Sequence, residues 1–514
     1  MPPAERGPVL NEEQFLRLAA YGEAEEVVAG RNLYATGDDS YDFFLLLTAE
    51  VDIVLEPDHV IYRTRPGDFL GELSLLTGQH VYLTARVVAA GTVVRIGAER
   101  LRRALDEQVD IADLLLAAFR DRREVIRTAA GGALELVGHP DTAETLALRT
   151  YAEQLLLPHT FRAPDGDLTG DLGGDDLPAA IVNGALLRRA TPGTLAQALG
   201  LTYRPGGRPV DLVVVGAGPA GLAAAVYGAS EGLCTVLLDR SGIGGQAAKS
   251  ARIENYLGFP DGVSGLHLTR LAMVQALKFG VRIHAPCAVT GLDLTDERRP
   301  VVVLEDGERI PCRAVIAATG AQYRRLDIPG WARFEKSGCI RYAAGETDVR
   351  GYENRPVTVV GGANSAGQAA LSLVAHGASV DLVIRGDDIG LRMSSYLADR
   401  ILAHPGIRVH TGGTVVELAG DDVLASVVVD KAGRLPSRAL FCFVGADPVS
   451  GWLTGVATAG DGFVRTESSL PFQTSAPRVF AVGDLRSGST KRVATAVGEG
   501  ASAVSSVHTA LAGD

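Results

Sequence analysis

No two cysteines in this 514-residue chain stand in C-x-x-C spacing; the five are Cys234, Cys287, Cys312, Cys339 and Cys442. That absence disfavours both a zinc ribbon and a local redox disulfide. Sparse cysteines without an export signal fit a reducing cytoplasm. Long apolar runs are missing too. None approaches ~18 residues, so no membrane span is expected. The opening stretch, MPPAERGPVLNEEQF, has no basic region followed by an apolar core, so no signal peptide is expected. Positive charge is not in excess. The 49 Lys and Arg against 61 Asp and Glu leave a net −12, which argues against nucleic-acid and membrane-surface partners. Hydrophobic residues make up 46%, ample for large cores. The length fits roughly three or four domains.

The stretch that organises the chain runs from Pro209 to Asp239. An apolar run, Leu212 to Val215, reads as a buried parallel strand. It breaks at Gly216-Ala217-Gly218-Pro219-Ala220-Gly221, and a helix-like segment follows. A second apolar run, Cys234 to Leu238, ends on Asp239. This is a βαβ unit with the dinucleotide fingerprint. Gly216 permits the tight turn, Gly218 leaves room for a pyrophosphate, and Gly221 lets helix and strand pack closely. The helix N-terminus offers free N–H groups to phosphates. Asp239, 18 positions after Gly221, is placed to accept hydrogen bonds from an adenosine ribose.

Upstream, residues 10–128 carry short β-like runs (43–47, 51–55, 60–63, 83–88, 92–96) separated by turn residues, then a helical segment. That spacing reads as a small β-barrel or jelly roll. Tyr34-Ala35-Thr36-Gly37-Asp38 and Pro66-Gly67-Asp68-Phe69-Leu70-Gly71-Glu72-Leu73 resemble the cyclic-nucleotide-binding domain. In that family the Gly-Glu-Leu turn meets the ribose and cyclic phosphate, and an arginine a few residues on pairs with the phosphate. Here Val81 or Tyr82 stands in the arginine's place, and Arg86 falls in the next strand. Loss of a charge-assisted contact is costly in a buried pocket. A barrel kept for docking, or for another small ligand, is therefore expected over cyclic-nucleotide binding.

Residues 131–202 order as strand, helix, strand, two strands and helix, which resembles a glutaredoxin-like fold. Gly138-His139-Pro140-Asp141-Thr142-Ala143-Glu144-Thr145 is similar to that family's active-site turn, with Thr142 and Thr145 at the cysteine positions. Leu177-Pro178 falls where the family has its cis-proline. Hydroxyls form no disulfide, so thiol exchange by this unit is not expected, and Asp141 or Thr142 is expected to cap the helix. Residues 203–209 read as a linker.

After Asp239 and Arg240 come Gly244-Gly245-Gln246 and Glu254-Asn255-Tyr256-Leu257-Gly258-Phe259-Pro260. Further on stand Ala318-Thr319-Gly320 and Phe480-Ala481-Val482-Gly483-Asp484. These motifs, over residues 210–514, resemble the low-molecular-weight thioredoxin reductases. The resemblance implies that Gly245, Gln246 and Asn255 run along FAD, that Thr319 and Gly320 lie near its adenosine half, and that Gly483 and Asp484 meet the ribityl chain and flavin phosphate. The helix around Ala494 would support the isoalloxazine ring. A second βαβ unit carries Gly361-Gly362-Ala363-Asn364-Ser365-Ala366-Gly367 and ends its next strand at Arg385. It resembles the family's inserted nicotinamide-nucleotide domain. Arg385 replaces the acid expected for NAD and can pair with a 2′-phosphate, so NADPH is expected over NADH. The other reading of Arg385 is a solvated strand-end charge.

The family's C-x-x-C is absent: by spacing, Tyr342 and Gly345 hold its two positions, with Cys339 nearby. The expected architecture is multidomain. It comprises a jelly-roll β-barrel (10–128), a small α/β thioredoxin-like domain (131–202), and two Rossmann-like three-layer α/β domains. These are an FAD domain in two parts, 210–329 and 442–514, and an NAD(P)H domain at 330–441. The expected function is an FAD-dependent NAD(P)H oxidoreductase, a cytoplasmic homodimer passing electrons to an unidentified acceptor such as a redox protein. The alternatives are thioredoxin-disulfide reduction, as similarity would name it, and a non-enzymatic flavin- or nucleotide-sensing scaffold.

Overall fold

The computed structural model of the chain describes residues 9–55, 59–72, 74–129, 134–164, 172–204, 209–250, 252–342, 344, 349, 351–466 and 469–512. Gly345, most of the 203–209 linker and residues 131–133 lie outside them.

The N-terminal unit opens with helix α1 (Glu12–Ala19). Strands β1 (Glu23–Val27), β2 (Asn32–Tyr34), β3 (Phe43–Leu46), β4 (Glu50–Leu55), β5 (His59–Thr64), β6 (Phe69–Leu70), β7 (Thr84–Ala89) and β8 (Gly91–Ile96) follow, with the single turn α2 (Ser74–Thr77) between β6 and β7. They form two four-stranded sheets, β1-β8-β3-β6 and β2-β7-β4-β5, paired antiparallel throughout. Helices α3 (Ala98–Glu107) and α4 (Val109–Ala129) close the unit. Phe119 of α4 packs onto Phe43 and Phe69, ring centroids 6.3 and 6.4 Å away. The runs read from sequence become β3, β4, β5, β7 and β8. Strand β1 escaped that reading because Glu-Ala-Glu-Glu-Val has no apolar alternation; its side chains are mostly exposed.

The next unit consists of β9 (Leu134–Val137), α5 (Ala143–Gln154), β10 (Thr160–Arg162), β11 (Ala179–Val182), β12 (Ala185–Leu187) and α6 (Pro192–Ala198). Its sheet runs β10-β9-β11-β12, with β10 parallel to β9 and the other neighbours antiparallel. The Leu177-Pro178 peptide is cis. Thr142 stands at the N-cap of α5, yet it gives the helix no side-chain cap bond. Its hydroxyl donates instead to His139 O at 3.0 Å and to Thr145 Oγ1 at 2.8 Å.

The remainder holds two units, the first built on a mixed sheet and the second on a parallel sheet. The first sheet contains β13 (Val210–Val215), β14 (Thr235–Leu238), β15 (Arg282–His284), β16 (Val289–Asp293), β17 (Val301–Leu304) and β18 (Arg309–Ala317). Its order is β15-β14-β13-β18-β17-β16, antiparallel along the β16-β17-β18 edge, and a late strand, Val479–Ala481, returns to pair parallel with β18. Helices α7 (Pro219–Ser230) and α8 (Gly265–Lys278) lie between its strands in sequence, and a C-terminal helix, Val493–Leu511, packs on α7. From here β19 (Ala321–Tyr323) leads through α9 (Trp331–Lys336) to β20 (Ile340–Arg341). The second sheet adds β21 (Pro356–Val360), β22 (Ser379–Ile384), β23 (Ile407–Thr411) and Leu440–Cys442 in an all-parallel array. It carries helices α10 (Asn364–Ala375) and α11 (Ser395–Ala403). The central strands β13 and β14 are near-continuous Val and Leu, as strands covered on both faces tend to be.

The thioredoxin-like unit is wedged between its neighbours. Tyr151 donates to Ala285 O at 2.8 Å, and Arg270 of α8 donates to Glu153 O. Arg123 of α4 donates to Leu156 O at 2.8 Å. Lys278 of α8 also pairs with Asp113 of α4 at 2.7 Å. Among the described residues no helix is long and apolar enough to cross a membrane.

At the end of β15, burial pulls the His284 imidazole down to about 4 from an ordinary 6.5. The folded state therefore holds it neutral, while the unfolded chain takes up a proton as pH falls through 6.5. The contribution is full above that range and is lost toward pH 4; between pH 6.5 and 5 it amounts to about 1.5 kcal/mol. Urea midpoints of wild type should fall over this window, and those of His284→Phe should be nearly flat.

Candidate functional site

The first dinucleotide turn is built by exclusion of side chains. Gly216 ends β13 with φ +106°, a left-handed conformation natural to glycine. A Cβ at Gly221 would overlap Gly216 O, and one at Gly500 would overlap Ala220 O. A Cβ at Gly218, by contrast, would point into open space, its nearest neighbour being Gly245 Cα at 4.0 Å. Gly218 is the N-cap of α7 and Pro219 its first residue. The unpaired N–H groups of that turn are thus reachable by an anion.

The surrounding motifs converge on this turn. Gly244 donates to Ala217 O at 2.7 Å, folding the Gly244-Gly245-Gln246 loop over it. Gln246 Nε2 bonds Ala321 O, joining the loop to β19. Asp239 Oδ1 accepts from Ser241 N and Gly242 N at 2.9 and 3.0 Å, and Oδ2 from Ala217 N at 2.7 Å. The acid thus braces two loops and keeps one Oδ2 lone pair for a hydroxyl. Arg240 is exposed. Thr319 Oγ1 donates to Val449 O at 2.7 Å, and Gly320 has φ +63°. Gly483, φ +69°, lies against Ala220, whose Cβ is 2.9 Å from where its own would be. Asn255 and Ala494 are exposed, and among the described residues neither makes a hydrogen bond with the turn.

Asp484 is half-buried, and its carboxylate has no hydrogen-bond donor among the described residues. Burial raises its pKa, with Lys491 opposing. An acid spared by the protein fits a ligand hydroxyl, and the open space at Gly218 and Gly320 fits a pyrophosphate passing close to backbone. The residues present thus fit FAD.

One residue of this site carries no motif. Glu499 is buried and accepts from Gly483 N at 2.7 Å, Arg486 Nη2 at 2.7 Å and Ser489 Oγ at 2.8 Å. It fixes the Gly483-Asp484 turn to the C-terminal helix. The one sequence signal was a lone acid within the apolar stretch 493–507.

In the second turn Gly361 has φ +143°, and a Cβ there would sit 2.5 Å from Phe443 O. Asn364 opens α10 and locks to Ser394, the N-cap of α11, through Ser394 N to Asn364 Oδ1 at 2.7 Å. Ser365 is exposed. Arg385, at the end of β22, and Arg392 are exposed with no acidic partner among the described residues. Ala366, in the third glycine's place, is fully buried against the sheet without displacing the helix.

At the missing disulfide, Tyr342 stacks on Tyr323, ring centroids 5.7 Å apart and planes 6° apart. Its hydroxyl donates to Glu335 at 2.5 Å and accepts from Trp331 Nε1 at 3.2 Å. Cys339 is buried, its Sγ accepting from Leu424 N at 3.3 Å. Burial pushes Cys287 and Cys442 up to about 12, so neither offers a thiolate near neutral pH.

In the N-terminal unit, the Asp68–Glu72 turn is held by consecutive arginines of α4. Arg122 Nη2 pairs with Asp68 at 2.9 Å, and its Nη1 donates to Phe69 O at 2.7 Å. Arg123 is buried; it pairs with Glu72 at 2.7 Å and donates to Gln79 Oε1 at 2.8 Å.

Two successive glycine turns on parallel strands, one with a spared acid and one with a strand-end arginine, define a pyridine nucleotide-dependent oxidoreductase with paired dinucleotide domains. Residues 210–500 match the family described as pyridine nucleotide-disulphide oxidoreductase, and residues 24–108 match the cyclic nucleotide-binding domain. A thioredoxin reductase of Neurospora crassa is 33% identical over 305 residues, covering 56% of this chain and 90% of that protein. The crystal structure of Lactococcus lactis thioredoxin reductase, in its FR conformation, superposes with a TM-score of 0.55 at 32% identity, over 59% of this chain and all of that one. That of T. acidophilum gives 0.54 at 26%, over 59% of this chain and 98% of that one. The chain belongs to the pyridine nucleotide-disulphide oxidoreductase family and, within it, to the thioredoxin reductases, as an FAD-dependent NAD(P)H oxidoreductase.

Replacing Glu499 by Leu should strand the Arg486 charge. We expect a loss of about 3 kcal/mol in thermal denaturation, and a lower ratio of flavin to protein absorbance in the purified protein.

Proposed function

We propose that the chain takes hydride equivalents from NADPH and delivers them to an acceptor without an internal disulfide. The carrying observation is Tyr342, stacked and hydrogen-bonded where the resemblance places the first cysteine, in a chain that carries one full dinucleotide turn and a second with alanines at its second and third glycine positions. The turn from Gly216 to Gly221 would hold the FAD pyrophosphate, Asp239 the ribose, Asp484 the ribityl hydroxyls, and Gln246 and Thr319 the adjoining walls. FAD bound there supplies two-electron redox chemistry. Arg385, with Arg392 nearby in sequence, would hold the 2′-phosphate, and Gly361, Asn364 and Ser365 the nicotinamide nucleotide's pyrophosphate. The relatives' name points to a redox protein as partner. The buried Cys339 supports an acceptor reached by another route. We also propose the homodimer as the working assembly, to be checked by sedimentation.

In the N-terminal unit, Glu72 is already engaged by Arg123 and no arginine occupies the phosphate position. The unit then acts as a clamp on the thioredoxin-like unit through Arg123 and Leu156, and a small ligand would have to displace Arg123.

Anaerobic NADPH should bleach the oxidised-flavin absorbance faster than NADH does; no bleaching by either defeats this reading. Arg385→Ala should raise the KM for NADPH about tenfold, a loss near 1.4 kcal/mol, and leave that for NADH unchanged. Cyclic AMP and cyclic GMP at millimolar concentration should not shift the thermal midpoint; a shift of several degrees would show that the nucleotide displaces Arg123.

A further inference from the structure

Between α5, α8 and the segment 335–342 lies a cavity of about 1210 Å³. From the reductase units it is lined by, among others, Lys249, Ser250 and Tyr342. The first two follow shortly after the Gly244-Gly245-Gln246 loop, and the third stands at the first cysteine position. Ala143, Leu146, Ala147 and others line it from the thioredoxin-like unit. There the turn with Thr142 and Thr145 meets the reductase backbone: a Cβ on Gly338, φ +73°, would lie 2.5 Å from Asp141 O and 3.6 Å from Ala143 N. Two segments that have each lost their thiols are thus packed against each other. This chain's own domain covers the surface beside residues 338–342.

We infer that this cavity is the acceptor site, and that it takes a small anionic oxidant with an apolar body, such as a sulfonated quinone, rather than a disulfide protein. The inference rests on the proposed NADPH oxidation and names its acceptor. Size supports it, because a space of this volume suits a small molecule, while the docked domain leaves a second thioredoxin-sized body no approach to Gly338. Charge supports it too. Arg240, Arg270 and Arg341 line the space; Arg270 also donates to Glu153 O and Arg341 bonds Tyr352, but the Arg341 Nε–H is buried without a hydrogen-bond partner among the described residues. Of the lining acids, Glu335 is committed to Tyr342 and Arg325, and Glu153 and Glu305 also line the space. Leu146, Leu271 and Ile340 provide the apolar wall. The reaction balances as NADPH plus a proton plus quinone giving NADP⁺ plus hydroquinone. The two electrons and one proton come from NADPH, the second proton comes from solvent, and both carbonyls become hydroxyls.

The test uses 1,2-naphthoquinone-4-sulfonate with the full-length holoprotein. Titration of tryptophan fluorescence should show saturable binding, since Trp331 bonds Tyr342 at the cavity wall. Ala147→Trp, on the exposed cavity face of α5, should weaken both binding and KM about tenfold, or 1.4 kcal/mol. Arg341→Gln should weaken the sulfonate but not the neutral menadione. Unchanged binding and KM in both variants would overturn the assignment. So would reduction of a free thioredoxin disulfide at a higher kcat/KM than the quinone. Failure of NADPH to bleach the flavin would defeat the underlying reading alone, because the binding titration reports on the cavity independently.

Discussion

Around the N-terminus of α7 several backbone segments meet with no room for a side chain between them. Gly221 lies on Gly216, Gly500 lies on Ala220, and Gly483 fits beside the same Ala220. Every other feature of the flavin-type site depends on this approach. The C-terminal helix can pack on α7 only because Gly500 lacks a Cβ. The Gly483-Asp484 turn reaches the cradle only because that helix is there to hold it. Glu499 then fixes the turn through Gly483 N and Arg486. A single methyl group at Gly221 or Gly500 would push the elements apart by more than local relaxation absorbs.

The same economy of space shapes the contact between units. Several polar groups at the junctions find partners across them: Tyr151 with Ala285 O, Arg270 with Glu153 O, Arg123 with Leu156 O. A hydroxyl or guanidinium buried without such a partner would be costly, so each bond fixes an orientation as well as adding stability. The three accessory losses now read together. At each of these places a side chain is engaged within the chain: Glu72 of the Gly-Glu-Leu turn by Arg123, Thr142 with Thr145, and Tyr342, at the first C-x-x-C position, with Glu335. Sites that elsewhere would exchange with a ligand or partner are here occupied by the protein itself.

Much of this was legible in the residues. The apolar run at 212–215 becomes β13, a strand buried on both faces, where polar side chains are disfavoured. The glycine spacing set both turns, since no other residue permits those φ values and approaches. The order of elements in 134–198 gave the β10-β9-β11-β12 sheet. The charged strand β1 was not legible, because its register comes from pairing with β8 rather than from its own pattern. Neither was the bracing role of Asp239, whose backbone donors lie in loops that only the fold brings together.

What the sequence determined by itself was chemistry that is local: which turns can hold phosphate, which strand end carries an arginine, and that no C-x-x-C stands ready as a local redox disulfide. These depend on residues a few positions apart, where covalent geometry and steric exclusion leave little choice. Only the tertiary structure decided what long-range neighbours do. It placed Arg123 on Glu72, set Glu499 under Asp484's turn, and docked the Thr142 turn against Gly338 around a cavity. Those contacts join residues from about fifteen positions apart, at Glu499 and its turn, to about two hundred, at Asp141 and Gly338, and complementary packing of folded surfaces, not spacing, selects them.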